Sequence, residues 1–150
     1  VHDENAYRFG GVAGHAGLFA SASDLSRLAQ ALLAGGRLGR VRLVSTRTLR
    51  EFTRVQDTLV SRRALGWETP TGTNSAGRRL SPAAFGHTGF TGTSLWIDPA
   101  RDLYVMLLTN RVNPTRQNTR VGAVRSGLAD AVVGALEPGP RAGGRAAGAR

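Results

Sequence analysis

The stretch from Phe85 to Asn110 limits the fold of this chain more than any other. It opens with three glycines in seven residues, Gly86, Gly89 and Gly92, and sets His87, Thr88 and Thr91 between them. Glycines at this density let a backbone turn sharply or come close to a neighbour. The next run, Thr93 to Ile97, is β-branched and aromatic and stops at Asp98-Pro99, which predicts a strand ending in a turn. Leu103 to Thr109 predicts a further strand, reached through the turn from Asp98 to Asp102. Its Leu-Tyr-Val-Met-Leu-Leu run is nearly all apolar, the pattern of a strand buried on both faces. With Phe85 to Phe90 as the first strand, the three form an antiparallel meander.

Helices are predicted on both sides of it in the chain. Residues 21–34 carry Leu25, Leu28, Ala29, Leu32 and Leu33 as one apolar stripe. Ser21 and Asp24 stand at capping-box spacing, and Gly35-Gly36 supplies the stop. Ser45 starts a second helix, stapled by Val44 and Leu49, with Leu49 and Phe52 facing inward and an end near Gln56. Ala64 to Glu68 reads as a short strand before Pro70, and residues 69–83 as a surface loop. After the polar loop from Asn110 to Asn118, Val121, Val124, Leu128, Val132 and Leu136 repeat at helical spacing. Pro138 is the expected stop, and residues 138–150 are expected to be a disordered Gly/Ala/Arg tail. The first 20 residues are glycine-rich and aperiodic, so they read as an ordered loop, with Val12, Leu18 and Phe19 tucked into a core.

The 150 residues suit one domain. The chain starts at Val1 and its only methionine is Met106, so a fragment of a larger protein is expected. No apolar run reaches membrane-spanning length, and there is no cysteine for a disulfide or thiolate. All 20 basic residues are arginine, and the net charge is +10. They are scattered rather than gathered in a stripe, so no nucleic-acid partner is expected. His2, Asp3, His15 and His87 do not follow the spacing of a local metal motif, so no metal or other cofactor is expected. His15 reads as a loop-holding residue.

A strand that carries a basic residue, a hydroxyl and a glycine, here His87-Thr88-Gly89, resembles the third motif of the penicillin-recognising serine hydrolases. These include β-lactamases, D-alanyl-D-alanine carboxypeptidases and related esterases. VHDENA…GGVAGHAGLF near the start resembles the segment after the second catalytic motif in one branch of that group. Leu65-Gly66-Trp67 and Leu107-Leu108-Thr109-Asn110 fall in the same order as in the family. The resemblance covers about residues 1–137. It implies an α+β fold (an α/β sandwich): the C-terminal portion of a β-lactamase/transpeptidase-like domain, with helices, then antiparallel strands, then a closing helix.

The resemblance also implies acyl transfer by a serine, through an acyl-enzyme. The first motif, Ser-x-x-Lys, cannot lie in a chain without lysine, and no Tyr-x-Asn is present, so the nucleophile and base are expected upstream. His87 stands in the lysine slot as a catalytic residue. The backbone N–H of Phe90 becomes an oxyanion-hole donor, and Thr88, Gly89 and Arg116 become substrate contacts. Phe90 stands where related peptidases often carry threonine or serine, which makes an ester substrate easier to accommodate. The implied partner is a small-molecule or peptidoglycan-like substrate, and the implied location is periplasmic or extracellular. A non-catalytic, ligand-binding relative of the same fold is the alternative.

Overall fold

The computed structural model describes residues 1–72 and 74–137. The tail and the Pro138 stop lie outside the described residues. The elements are α1 (Glu4–Arg8), α2 (Ala22–Leu33), β1 (Arg37–Leu38), β2 (Val41–Arg42), α3 (Thr46–Thr53), β3 (Phe85–Thr88), β4 (Ser94–Asp98), β5 (Leu103–Leu107) and α4 (Val121–Leu136). The chain is α+β, with helices and antiparallel strands.

The meander forms one sheet in the order β3-β4-β5, with Phe85 opposite Ile97, Gly86 opposite Trp96 and Trp96 opposite Val105. Side chains alternate across a strand, and this splits the core into two layers. Phe85 and Ile97 pack with Ala29 and Leu32 of α2, joined by Leu49 of α3 and by Trp67. Trp96 turns the other way, against Ala129 and Val133 of α4 and Ala76, Leu80 and Ala84. The sheet is thus sandwiched between α2 with α3 and α4. Trp96 is 1% exposed, and truncating it to alanine is expected to cost about 3–5 kcal/mol.

The local signals for α2 hold in detail. Ser21 Oγ accepts from the Asp24 amide at 3.2 Å and donates to Asp24 Oδ2 at 2.7 Å. At the other end Gly36 N–H donates to Ala31 O at 2.8 Å and Gly35 N–H to Leu32 O at 3.1 Å. That is a Schellman ending, and Gly35 has the positive φ that it needs just past the cap. The loop before the sheet is pinned by carboxylates. Asp98 is fully buried and accepts from Ser81 N at 2.8 Å, Ala100 N at 3.1 Å and Ser81 Oγ. Asp130 of α4 accepts from Arg78 N at 2.6 Å and Arg79 N at 3.0 Å.

Several expectations are corrected. The first 20 residues are not all loop. Asp3 Oδ1 accepts from Ala6 N at 2.7 Å and caps the five-residue α1, too short to show a period. Val12, Leu18 and Phe19 are not tucked in; they are 79%, 85% and 80% exposed. Phe52 is exposed as well, because α3 turns only Leu49 to the core and ends at Thr53. The β1–β2 hairpin was not expected. Gly39, at φ +57°, opens the two-residue Gly39-Arg40 turn between Leu38 and Val41. Ala64 to Glu68 is not a strand, since Gly66 at φ +80° breaks it and leaves two isolated bridges, Val55–Ala64 and Glu68–Gly86. The strand buried deepest is not β5, where only Val105 is buried, but β4. β5 is continuously apolar yet lies at the sheet edge, whereas β4 is central despite its Ser94 and Asp98.

Candidate functional site

β3 is the other edge strand, and ladder parity decides which of its groups face outward. Gly86 gives both backbone groups to Glu68, with Glu68 N–H to Gly86 O at 2.7 Å and Gly86 N–H to Glu68 O at 3.0 Å. Two residues on, the backbone groups of Thr88 point to the same open edge. A residue without a Cβ is needed where Gly86 crosses Trp96, since a Cβ there would lie 2.5 Å from both the Trp96 ring and Leu95 O.

Beyond Thr88 the chain reverses in the loop Phe90-Thr91-Gly92. Gly89 N–H donates to Thr93 O at 2.8 Å and Gly92 N–H to Gly89 O at 3.1 Å. This is a β-turn running into a glycine bulge. Gly92 has φ +120°, and a Cβ would lie 2.5 Å from Thr109 Oγ1 and 2.9 Å from Arg111 N. Only glycine fits. In such a turn the N–H groups of the two central residues take no part in the closing bond. Those residues are Phe90 and Thr91, and neither amide has a protein acceptor among the described residues.

The carbonyls of the same loop are all held. Gly89 O and Thr93 O both accept from Arg125 Nη2 of α4, at 2.7 and 2.9 Å. Phe90 O accepts from Arg111 Nε at 2.6 Å, Thr91 O from Arg111 N at 2.8 Å, and Gly92 O from Thr109 Oγ1 at 2.6 Å. The Arg111 guanidinium also lies over the Phe90 ring, 4.3 Å from its centroid. The His2 ring stacks on Phe90 at 6.0 Å, which brings the start of the chain beside the turn. Five consecutive carbonyls are thus satisfied by protein donors, while the central amides stay open.

His87 is exposed, and its Nδ1 lies 2.9 Å from Thr88 O. A carbonyl only accepts, so Nδ1 carries the hydrogen, and neutral His87 keeps a lone pair on Nε2. Thr88 Oγ1 donates to Glu68 Oε1 at 3.4 Å, and Glu68 also meets Arg63 Nη1 at 3.2 Å. An open depression of about 290 Å³ beside Glu68 is lined by Arg62, Arg63, Glu68, Thr69, Thr71 and Asn74. Four of the five residues read from the sequence as site residues, His87, Thr88, Gly89 and Phe90, are therefore contiguous on this edge. Arg116 is tied elsewhere. Its guanidinium meets Glu4 at 2.8 Å, and its carbonyl accepts from Arg111 Nη1 at 2.9 Å, so it joins the 110–118 loop to α1.

His15 Nε2 lies 2.9 Å from Asp3 Oδ1 and ties its loop to the cap of α1. The Asp3 carboxyl is held below its ordinary value, first by the Ala6 amide and then by His15. Among the described residues, no group of three or more His, Cys, Asp or Glu side chains is gathered as a metal site, and no helix is long and apolar enough to cross a membrane. Sequence reasoning missed Glu68, Arg111 and Arg125. Arg111 lies in a loop already noted as polar. Arg125 reads only as a polar position on a helix, and nothing local ties it to Gly89, 36 residues away.

The comparisons with known proteins span the same features. The sequence matches the Beta-lactamase family over residues 1–129, from α1 through the His87-Thr88-Gly89 strand into α4. It is 40% identical over 127 residues to a Salmonella typhi protein named "Putative D-alanyl-D-alanine carboxypeptidase", an alignment covering 81% of this chain and 29% of that protein. Proteins of the same name from Salmonella paratyphi B and Salmonella newport match with the same identity and coverage. The chain therefore spans less than a third of the length of the curated relatives it matches. A family match that covers residues 1–129, with relatives 40% identical over 81% of the chain, places it plainly: this chain is a member of the beta-lactamase family.

Proposed function

We propose that the protein to which this chain belongs is a serine acyl hydrolase of the β-lactamase, D-alanyl-D-alanine carboxypeptidase or esterase type. It works through an acyl-enzyme, and this chain forms one wall of the site. The serine and its lysine and tyrosine partners are supplied by sequence outside these 150 residues. The relatives' name points to a stem-peptide substrate, with β-lactams and small esters in the same chemical class. A periplasmic or extracellular location fits that substrate.

In this reading the serine Oγ adds to the substrate carbonyl as its proton passes to the neighbouring base. The C=O electron pair moves onto oxygen, and the Phe90 N–H, with the serine's own N–H, donates to that oxyanion. Collapse expels the amine or alcohol, which takes the proton, and water then releases the acyl group by the same steps. His87 faces the site through Nε2, where it hydrogen-bonds the catalytic tyrosine or adds positive potential when protonated. Thr88 Oγ1 and the Arg62–Arg63 depression receive the substrate's anionic end. Arg116 acts at one remove, by holding the loop that carries Arg111.

The observation that carries this reading is the turn itself, with its carbonyls held and the Phe90 amide open on the β3 edge. Phe90→Pro tests it in the full natural chain. Proline is favoured at the second position of a β-turn, so it keeps the turn and deletes the one N–H. A fall in kcat of about a hundredfold to a thousandfold is expected, with Phe90→Ala, which keeps the amide, within about tenfold of wild type. Equal activity for Phe90→Pro and wild type on an ester and a β-lactam rejects the assignment. Absence of any acyl adduct in the wild-type full chain favours the non-catalytic binding relative.

A further inference from the structure

We infer that Arg125 is a positioning residue for the reaction, a cationic clamp that holds the Gly89–Thr93 turn and so aims the Phe90 amide. The inference rests on the reading of Phe90 as an oxyanion donor and adds the residue that sets its geometry.

One atom, Arg125 Nη2, donates to Gly89 O at 2.7 Å and to Thr93 O at 2.9 Å. These are the two residues that flank the loop, and Gly89 N–H bonds Thr93 O at 2.8 Å between them. The guanidinium therefore bridges the neck of the turn from α4. Arg111 holds the rim instead, at Phe90 O and over its ring. Gly89 O and the Phe90 N–H belong to one planar peptide, so the donors that hold the carbonyl from behind also set the direction of the amide. Orientation of this kind matters steeply, since a misplacement of about 1 Å is enough to cost roughly a hundredfold in rate.

The choice of a cation for this task is costly. Arg125 Nε is buried with no hydrogen-bond partner among the described residues, and no carboxylate lies within ion-pair distance of the guanidinium among them. Burial pulls its pKa below the ordinary arginine value, and the charge of Arg111 pulls it further. A neutral donor would cost less to bury. What the neutral group lacks is charge. A partly desolvated cation behind the turn places positive potential where negative charge develops in the transition state, and there it acts more strongly than it would in water.

The test uses the full natural chain with Arg125→Gln, Arg125→Lys and Arg125→Ala, alongside Phe90→Pro. Arg125→Gln and Arg125→Ala are expected to lower kcat by about a hundredfold while KM moves less than about threefold. Their affinity for an arylboronic acid, whose adduct mimics the tetrahedral oxyanion, is expected to fall by the same factor as kcat/KM. Millimolar methylguanidinium is expected to restore part of the kcat of Arg125→Ala and none of that of Phe90→Pro. Should Arg125→Ala fail to fold, Arg125→Lys, which keeps the charge but loses the fork, decides through the same kcat and boronate readouts. Hydrogen exchange of the 86–95 peptide supplies a readout independent of activity, and Arg125→Gln is expected to speed it tenfold or more, about the effect of losing a buried bond. Wild-type kcat, boronate affinity and exchange in folded Arg125→Gln overturn the clamp. Impaired Phe90→Pro beside unaffected Arg125 variants sinks the clamp and leaves the oxyanion reading intact. Unaffected Phe90→Pro beside fast-exchanging Arg125 variants rejects the oxyanion reading, and with it the positioning role, and leaves Arg125 as a fastener of the turn alone.

Discussion

Gly14-His15-Ala16-Gly17 and Gly86-His87-Thr88-Gly89 spell the same Gly-His-x-Gly pattern, and the fold treats them differently. The first lies in a loop closed by the Ala13–Ala16 bridge, with Val12, Leu18 and Phe19 exposed around it. Its histidine meets a carboxylate, Asp3, and locks a cap. The second ends an edge strand. Its histidine bonds only a backbone carbonyl of its own strand and keeps one ring nitrogen open. The turn that follows is held from behind by Arg125, Arg111 and Thr109. Glycine and histidine supply conformational freedom and a titratable group in both places. What separates a loop fastener from a candidate site is the set of donors packed behind the backbone.

Replacing each histidine is the strongest way to break the comparison. In the full natural chain, His87→Ala is expected to lower kcat/KM about tenfold to a thousandfold. His15→Ala is expected to stay within about twofold, because its partner is a structural cap. Steady-state kinetics on an ester or β-lactam reads both, and equal losses would erase the distinction.

The glycines sharpen it next, through stability. Gly92→Ala puts a methyl against Thr109 and Arg111 at positive φ, and a cost of about 2–3 kcal/mol is expected. Gly14→Ala meets nothing within 4 Å and needs no positive φ, so its change is expected within about 0.5 kcal/mol. Urea unfolding of the two variants measures both. A Gly92→Ala protein as stable as wild type would mean the turn is looser than its bonds indicate.

A smaller effect is expected from the exposed side chains of the first region. Leu18→Ser with Phe19→Ser should change stability by less than about 0.5 kcal/mol in the 150-residue chain while raising its solubility, since both residues stand in water. A loss several times larger would show them packed.

Asp3 gives the smallest. Its carboxyl is held below the ordinary value of 3.8 by the Ala6 amide and then by His15. A lowered carboxylate pKa contributes stability above the unfolded value, and that contribution is lost as pH falls through the folded one. Asp3→Asn is therefore expected to flatten the acid limb of stability measured from about pH 5 down to about pH 2, with little change near neutrality in its pH slope. An unchanged acid limb would show that neither the Ala6 amide nor His15 holds the Asp3 carboxylate in solution.

Much of the architecture was legible in local sequence. Ser21 with Asp24, Gly35-Gly36, the Ser45 cap and the run from Phe85 to Leu107 each act within a few residues, through caps, periodicity and turn chemistry. Such signals specify dihedral angles, and α2, α3, β3, β4, β5 and α4 all stand close to where these signals put them. The edge His87 to Phe90 was legible by family likeness, as a string of residues. The tertiary structure alone decided the rest. Five-residue α1 and the two-residue strands of the hairpin are too short for a period. The apolar β5 lies at an edge while β4, with a serine and an aspartate, runs through the middle, because Asp98 finds its donors in Ser81, 17 residues away. Arg125 reaches Gly89 only because α4 packs on the sheet at one azimuth, across 36 residues of chain. Sequence pattern encodes which way a segment bends and which face is apolar. Which donor meets which carbonyl depends on packing between segments, and no local pattern records it.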